Sequence, residues 1–489
     1  MKFLDEEQRG QIGYKYIIDE LNTMTPYGTE IKKNIRPFKR SELEKLKEEF
    51  KSIEIVMKDI LSDKEVLNPI EASFCRTKDI RNSVKRCTNR FILDEVELFE
   101  IKYFALMLDE LVTSYEKSNI DIPKVEFHRL DDILELLDPE NTKMPTFHIY
   151  DTYSEKLADI RLKKRKIEEV IYKESDDDKR KELLDQRLQI VMEEEEEELE
   201  VRKKLSEGIS KACEKLLING ESIGRLDFLM AKSRLAIHHE AVKPNLTLEN
   251  KIVLKDGVNP QVKDILRKRN REFTPVSIDL ESGTTLITGA NMGGKSVSLK
   301  TIVLNLFLVQ MGFYVFAKEA TMPVVDFIYY ISDDMQSISK GLSTFGAEII
   351  KLREVVECMK REVGFAALDE FARGTNPREG LKLVKGVCKY FNKFDSVSLI
   401  STHYDGVVED DMTHYQAIGL KNVDFKNLKY KIDLNKTKSI GIIQEHMDYR
   451  LEKVSNLDVV PKDALNISIL LGLEPEIINI IKESYEGED

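Results

Sequence analysis

Thr284-Thr285-Leu286-Ile287-Thr288 runs directly into Gly289-Ala290-Asn291-Met292-Gly293-Gly294-Lys295-Ser296. The first five residues make a short apolar, β-branched run suited to a buried strand, the next eight satisfy G-x-x-x-x-G-K-[ST], and a helical pattern follows from about Val297. A glycine-rich turn between strand and helix lets main-chain N–H groups close around phosphate oxygens, and the helix adds its positive amino end. In such a turn Gly289, Ala290, Asn291, Met292, Gly293 and Gly294 line the cradle, Lys295 contacts the β- and γ-phosphates, and the Ser296 hydroxyl ligates magnesium. The expectation is a site for ATP or GTP with Mg²⁺.

Two later apolar runs end in residues that suit the same chemistry. Gly364 to Leu368 leads into Asp369 and Glu370. An acid at the carboxyl end of a parallel strand beside a phosphate loop can hold magnesium, and a second carboxylate can polarise the attacking water. Asp369 is therefore the expected metal partner and Glu370 the expected base. The run Ser396 to Ser401 ends in Thr402 and His403. His403 is expected to sense the γ-phosphate or orient the water, because adjacent parallel strands bring their carboxyl ends to one crevice. His414 and His446 have no such placement and read as surface or packing residues.

Strands separated by helical stretches predict an α/β second half with a mostly parallel sheet, beginning near residue 245, where prolines appear at Pro244, Pro260 and Pro275. Upstream the periodicity is helical almost throughout. Residues 1–245 are expected to form a helical core and lever domain, 246–455 the phosphate-loop domain, and 456–489 a pair of short helices separated by Gly472. Within the first half, Val96, Phe99, Ile101, Phe104, Leu106 and Leu108 predict a helix buried on most sides. From about 152 to 217 the charge density rises, and Glu174-Ser175-Asp176-Asp177-Asp178 predicts the tip of an antiparallel helical hairpin. Its second arm carries six consecutive glutamates, Glu193 to Glu198, expected to be a solvated face that repels phosphate.

The chain has 489 residues and a net charge of −13, so nucleic-acid binding would need a local basic patch. The five cysteines show no C-x-x-C spacing and the histidines no ligand pattern, so neither a disulfide framework nor a structural zinc site is indicated. The amino terminus MKFLDEEQRG lacks the apolar segment of a signal peptide and no apolar run is long enough to span a bilayer, which points to the cytosol and away from membranes.

Four ordered motifs, GANMGGKS (289–296), SDDMQSISKGLSTFGAEI (332–349), LDEFARGTNPREG (368–380) and STHYDG (401–406), together resemble the MutS family of ATPases, an ABC-type branch of the phosphate-loop proteins. The likeness is good from about 250 to 485 and weaker upstream. It implies an ATPase whose sites form across a homodimer or heterodimer. Gly341, Ser343, Thr344 and Glu348 would then reach the partner's nucleotide, and the closing helices would dimerise. It further implies that Phe273 stacks on adenine, although an aromatic at a strand start also packs simply as core. The family's usual client is DNA, mismatched, branched or damaged.

Other features depart from the family's full-length pattern. The Phe-x-Glu wedge that unstacks a mispair is not found, and residue 1 lies close to the helical core, so a short form without the mismatch-recognition domain is expected. Ala372 and Asn376 stand where most relatives have glycine and serine. Shortened proteins of this shape also resemble the ATPase component that reactivates adenosylcobalamin-dependent lysine 5,6-aminomutase, which would make the client a protein.

Overall fold

The computed structural model describes residues 2–62, 64–118, 120–289, 293–332, 344–421, 423, 425, 428, 432, 439–454 and 463–486. Contacts divide the chain into two compact units: Met1–Leu21 with Arg36–Phe50 and Leu235–Asp489, and Asn22–Ile35 with Lys51–Arg234. Two amino-terminal stretches thus group with the α/β unit.

Among the described residues the second unit is helical. Its helix Glu95–Lys117 begins with a reciprocal cap: Glu97 N–H donates to Asp94 Oδ1 at 2.8 Å, and Asp94 N–H to Glu97 Oε2 at 3.1 Å. Leu98, Ile101, Phe104, Ala105, Met107, Leu108 and Leu111 face the interior. Val96, expected inside, is 65% exposed, since it sits in the first turn before the helix enters the bundle. Lys102 is wholly buried, and its ammonium donates to Asp138 Oδ1 at 3.0 Å, to the Thr146 carbonyl at 2.9 Å and to Tyr150 Oη at 3.2 Å. A charge so placed is tolerable only with such a full set of acceptors.

Helices Glu155–Lys173 and Asp177–Ser210 pair along the charged segment, and Asp176 caps the second through Asp178 and Lys179. The glutamate run is not wholly solvated. Glu194 bonds Arg161 at 3.1 Å and also pairs with Lys164, Glu197 meets Lys156 and Ser154 at 2.8 and 2.7 Å, and Glu198 meets Arg161 at 2.8 Å. Half of the run is turned onto the basic face of the first arm helix, which neutralises the repulsion expected of it.

The first unit holds two sheets. Strands β1 (Asn245–Thr247), β2 (Ile252–Gly257), β3 (Val276–Leu280) and β5 (Glu319–Pro323) form one, in the order β1-β5-β2-β3. The other contains β4 (Gly283–Thr288), β6 (Ile328–Ser332), β7 (Phe365–Asp369), β8 (Val397–Ser401), β9 (Thr413–Gly419) and β10 (Asp448–Lys453), ordered β10-β9-β4-β8-β7-β6. Strands β9, β4, β8, β7 and β6 are parallel and β10 is antiparallel. Every residue of β4, β6, β7 and β8 is buried, including Thr284, Thr285 and Ser398, as expected of parallel strands covered on both faces. Helix Lys295–Gln310, buried over most of its length, follows β4, and helices Thr344–Met359 and Pro377–Phe391 flank β7. At the edge, Ile328 N–H donates to the Lys2 carbonyl at 2.9 Å, so the amino-terminal segment satisfies part of β6 that would otherwise be open.

Near the carboxyl end, helices Asp463–Leu470 and Pro475–Glu486 flank Gly472; Leu471 and Leu473 are exposed in the turn and Ile477 and Ile480 on the second helix. Among the described residues no helix is long and apolar enough to cross a membrane.

Candidate nucleotide site

The carboxyl ends of β4, β8 and β7 lie side by side, stitched by two main-chain bonds: Thr402 N–H to the Ile287 carbonyl at 3.0 Å and Glu370 N–H to the Ser401 carbonyl at 3.2 Å. Strand β8 therefore separates β7 from β4. Ser401 bridges the interval, its hydroxyl donating to Asp369 Oδ1 at 2.6 Å and accepting from Glu370 N–H at 3.0 Å.

Beyond β4 the chain turns on glycines. Gly289 has φ +123°, and a Cβ there would come within 3.0 Å of the Ala417 carbonyl; Gly294, at φ +86°, would place one 3.0 Å from the Tyr449 ring. Both positions demand glycine. Helix Lys295–Gln310 then starts at Lys295, whose ammonium is almost wholly buried, donates to the Gly289 carbonyl at 2.8 Å and lies 3.6 Å from Glu370 Oε1. Burial pushes this ammonium below its ordinary range, and the Glu370 carboxylate opposes the shift without cancelling it. Ser296 Oγ donates to Asp369 Oδ1 at 3.0 Å. A hydroxyl and a carboxylate converge at a helix amino terminus, a set of hard oxygen donors that suits a magnesium ion keeping its waters and taking phosphate oxygens.

Glu370 has φ +49° and Ala372 φ +63°, left-handed values rare for residues with a Cβ. The turn is held by an Arg373 guanidinium at 2.7 Å from Glu370 Oε2, by Tyr404 Oη donating to the Ala372 carbonyl at 3.1 Å, and by Ala372 N–H donating to Glu348 Oε2 at 3.0 Å. Glu348, which the resemblance implies would reach a partner's nucleotide, is buried here with Oε2 on the Ala372 N–H.

A cavity of about 960 Å³ opens over this constellation, lined by Gly293, Gly294, Lys295, Ser296, Glu370 and Phe273. Phe273 faces the cavity half-buried. His403 follows β8, with its ring 4.3 Å from that of Tyr404; partial burial lowers its pKa, which the Glu370 carboxylate opposes and Lys295 reinforces. The expected cradle residues Ala290, Asn291 and Met292, and the expected partner-reaching Gly341 and Ser343, lie outside the described residues; Thr344 opens its helix, and its side chain is likewise outside them.

Sequence reasoning missed the cavity's opposite wall. Helix Ser439–His446 and the start of β10 contribute Ile442, Gln444, Met447 and Tyr449, and the Arg271 guanidinium bonds the Gln444 amide oxygen. No spacing in that stretch marks it as part of a pocket. His414, read as surface or packing, is buried on β9 with Nε2 2.7 Å from Thr288 Oγ1, directly behind the glycine turn.

Residues 285–468 match the family model described as MutS domain V. Endonuclease MutS2 of Halothermothrix orenii is 30% identical over 298 residues, covering 59% of this chain and 34% of that protein. DNA mismatch repair protein MutS of Caldicellulosiruptor bescii is 31% identical over 220 residues (43% of this chain, 25% of that protein), and human DNA mismatch repair protein Msh3 is 29% identical over 231 (46% and 20%). The matches thus span about a third or less of these relatives' length. The domain V match lies over the strand ends and the glycine turn just described, so this stretch of the chain is similar to MutS domain V.

Proposed function

We propose that the first unit binds ATP with magnesium at the ends of β4, β7 and β8, hydrolyses it, and uses dimer closure to change its grip on DNA. The observation that carries this reading is the convergence of Lys295, Ser296 and Glu370 on the lining of one cavity, with Asp369 bonded to Ser296 behind them. Lys295 and the main-chain N–H groups of the glycine turn hold the phosphates, and Ser296 with Asp369 holds the metal. Magnesium, when bound, supplies charge neutralisation between the β- and γ-phosphates. Glu370, kept in place by its left-handed backbone and by Arg373, accepts a proton from the attacking water, and His403 orients that water. Phe273 stacks on the adenine, while Ser343 and Thr344 of a second copy complete the γ-phosphate contacts, as the family resemblance implies. Hydrolysis then removes those cross-copy contacts, and the closed state loses the differential affinity that held it. The carboxyl-terminal helix pair, with Leu473 exposed in its turn and Ile477 and Ile480 on its second helix, supplies further apolar surface for pairing.

DNA as client is supported by the names of the relatives, two of which are DNA mismatch repair proteins. A second reading, a protein client of the aminomutase type, is favoured by the net charge of −13. Fluorescence anisotropy with a branched DNA duplex, using Glu370→Gln and ATP–Mg²⁺, separates the two. The DNA reading requires binding that weakens linearly in log Kd against log salt, through counterion release. No binding at low salt would transfer the client to protein.

A further inference from the structure

Asp369 is held by more than its two serines. On the adjoining strand, Tyr330 is paired in register with Ala367, and Ser332 with Asp369 itself. Ala367 and Asp369 project to the same side of the sheet, and alanine opposite the tyrosine leaves its ring free to lie along the strand direction. The phenol reaches the carboxylate and donates to Asp369 Oδ2 at 3.2 Å. Ser296 and Ser401 both donate to Oδ1, at 3.0 and 2.6 Å. Both oxygens are therefore engaged, one by serines that face the glycine turn and the other by an aromatic hydroxyl from behind. Tyr330 has no exposed surface, and its carbonyl accepts from the Gln8 side-chain amide of the amino-terminal helix Glu6–Gln11, so its strand is fixed from the far side as well.

A carboxylate that ligates through one oxygen is useful only if it cannot rotate. With Oδ2 free, turning about the terminal side-chain torsion costs little, since such torsions are broad. We propose that Tyr330 is a positioning residue for the metal: by holding Oδ2 it points Oδ1 at Ser296, where the magnesium of the nucleotide complex binds. This rests on the proposed nucleotide reading and goes one step beyond it, because Tyr330 touches neither nucleotide nor metal.

The test uses the full chain and Mn²⁺ as a probe read by electron paramagnetic resonance, with a non-hydrolysable ATP analogue bound. Tyr330→Phe keeps the ring and removes the hydroxyl. Nucleotide affinity in EDTA is expected to stay within about twofold, while Mn²⁺ affinity falls about tenfold, the scale on which ligand-orienting partners act. In an Asp369→Asn background Tyr330→Phe should have no further effect on Mn²⁺, since its influence passes through that carboxylate. Equal Mn²⁺ affinity in wild type and Tyr330→Phe would overturn the proposal, as would an undiminished effect in the Asp369→Asn background. Should the variant not fold, 3-fluorotyrosine placed at 330 alone keeps the hydroxyl. Its ¹⁹F resonance is expected to shift when Mg²⁺ joins the nucleotide-bound protein, and a resonance that does not move overturns the proposal. A wild-type chain that takes up no nucleotide and metal at all would instead defeat the proposed function.

Discussion

Lys295→Met separates function from stability more sharply than other changes in the site. Lys295 is buried, its charge is disfavoured by that burial, and among its acceptors are the Gly289 carbonyl at 2.8 Å and Glu370 at 3.6 Å. Hydrogen bonds to charged groups contribute about 1.5–3 kcal/mol each. Two such bonds, one to each of the β- and γ-phosphates, amount to roughly 3–6 kcal/mol, or about 10²–10⁴-fold in ATP affinity at 1.36 kcal/mol per decade. Without nucleotide the balance reverses. Methionine fills similar volume without a desolvated charge, and Glu370 keeps Arg373 at 2.7 Å and its bonded main-chain N–H. Isothermal titration calorimetry should therefore show ATP binding lost in the variant. A melt without nucleotide should give a Tm equal to or above that of the wild type, the usual trade between a binding site and stability. Wild-type protein at ATP near 100 times Kd should gain about 2.7 kcal/mol, and the variant none. Unchanged affinity would refute the site; a large fall in the nucleotide-free Tm would refute the argument about the buried charge.

Other changes test other parts of the structure. Glu370→Gln should bind ATP within a few-fold of wild type and slow steady-state hydrolysis by about 10²-fold or more, the usual contribution of a positioned base, measured by phosphate release. Phe273→Ala should weaken ATP about 5- to 150-fold if the ring stacks on the base, corresponding to about 1–3 kcal/mol per stacked base, and leave affinity unchanged if the ring only packs. Because burial lowers the His403 pKa, its imidazole is neutral in the folded protein where the unfolded chain already takes up a proton. Its contribution to stability is complete above about pH 6.5 and is lost as pH falls below that value through the folded pKa, so His403→Gln should flatten the acid side of a Tm-against-pH profile. In the helical unit, Lys102→Met strands the Asp138 charge with only Thr142 and the Lys143 N–H. It should cost about 3–5 kcal/mol by urea denaturation, and Lys102→Met combined with Asp138→Leu should recover part of that.

The parts of this fold legible in sequence are those where a local pattern has one physical meaning. Thr284 to Thr288 is an apolar run before glycines, and it is a buried parallel strand followed by a helix whose first residue is Lys295. The strand ends at Asp369 and Ser401 were equally visible, because fully buried strands cannot hide their composition. Their order was not, since β8 lies between β4 and β7 and pairing order leaves no trace in any single strand. Side-chain engagement at a distance was also invisible. Nothing in the spacing around Glu348 shows that its carboxylate accepts from the Ala372 N–H of a left-handed turn. Tyr330 belongs to an apolar run whose alternation is erased by burial on both faces, so nothing marks its hydroxyl as different from the Tyr329 hydroxyl beside it. Gln444 and Tyr449 depend on tertiary folding of a segment with no motif.

The proposed function requires ATP to be enclosed between two copies of the first unit. Sedimentation velocity of the Glu370→Gln chain, with and without saturating ATP–Mg²⁺, tests this directly. The account requires the ATP-bound chain to sediment as a closed dimer, and requires Lys295→Met added to the same chain to abolish the nucleotide-induced change. A chain that binds ATP stoichiometrically and sediments as a monomer throughout, while its Glu370 parent hydrolyses at full rate, contradicts it.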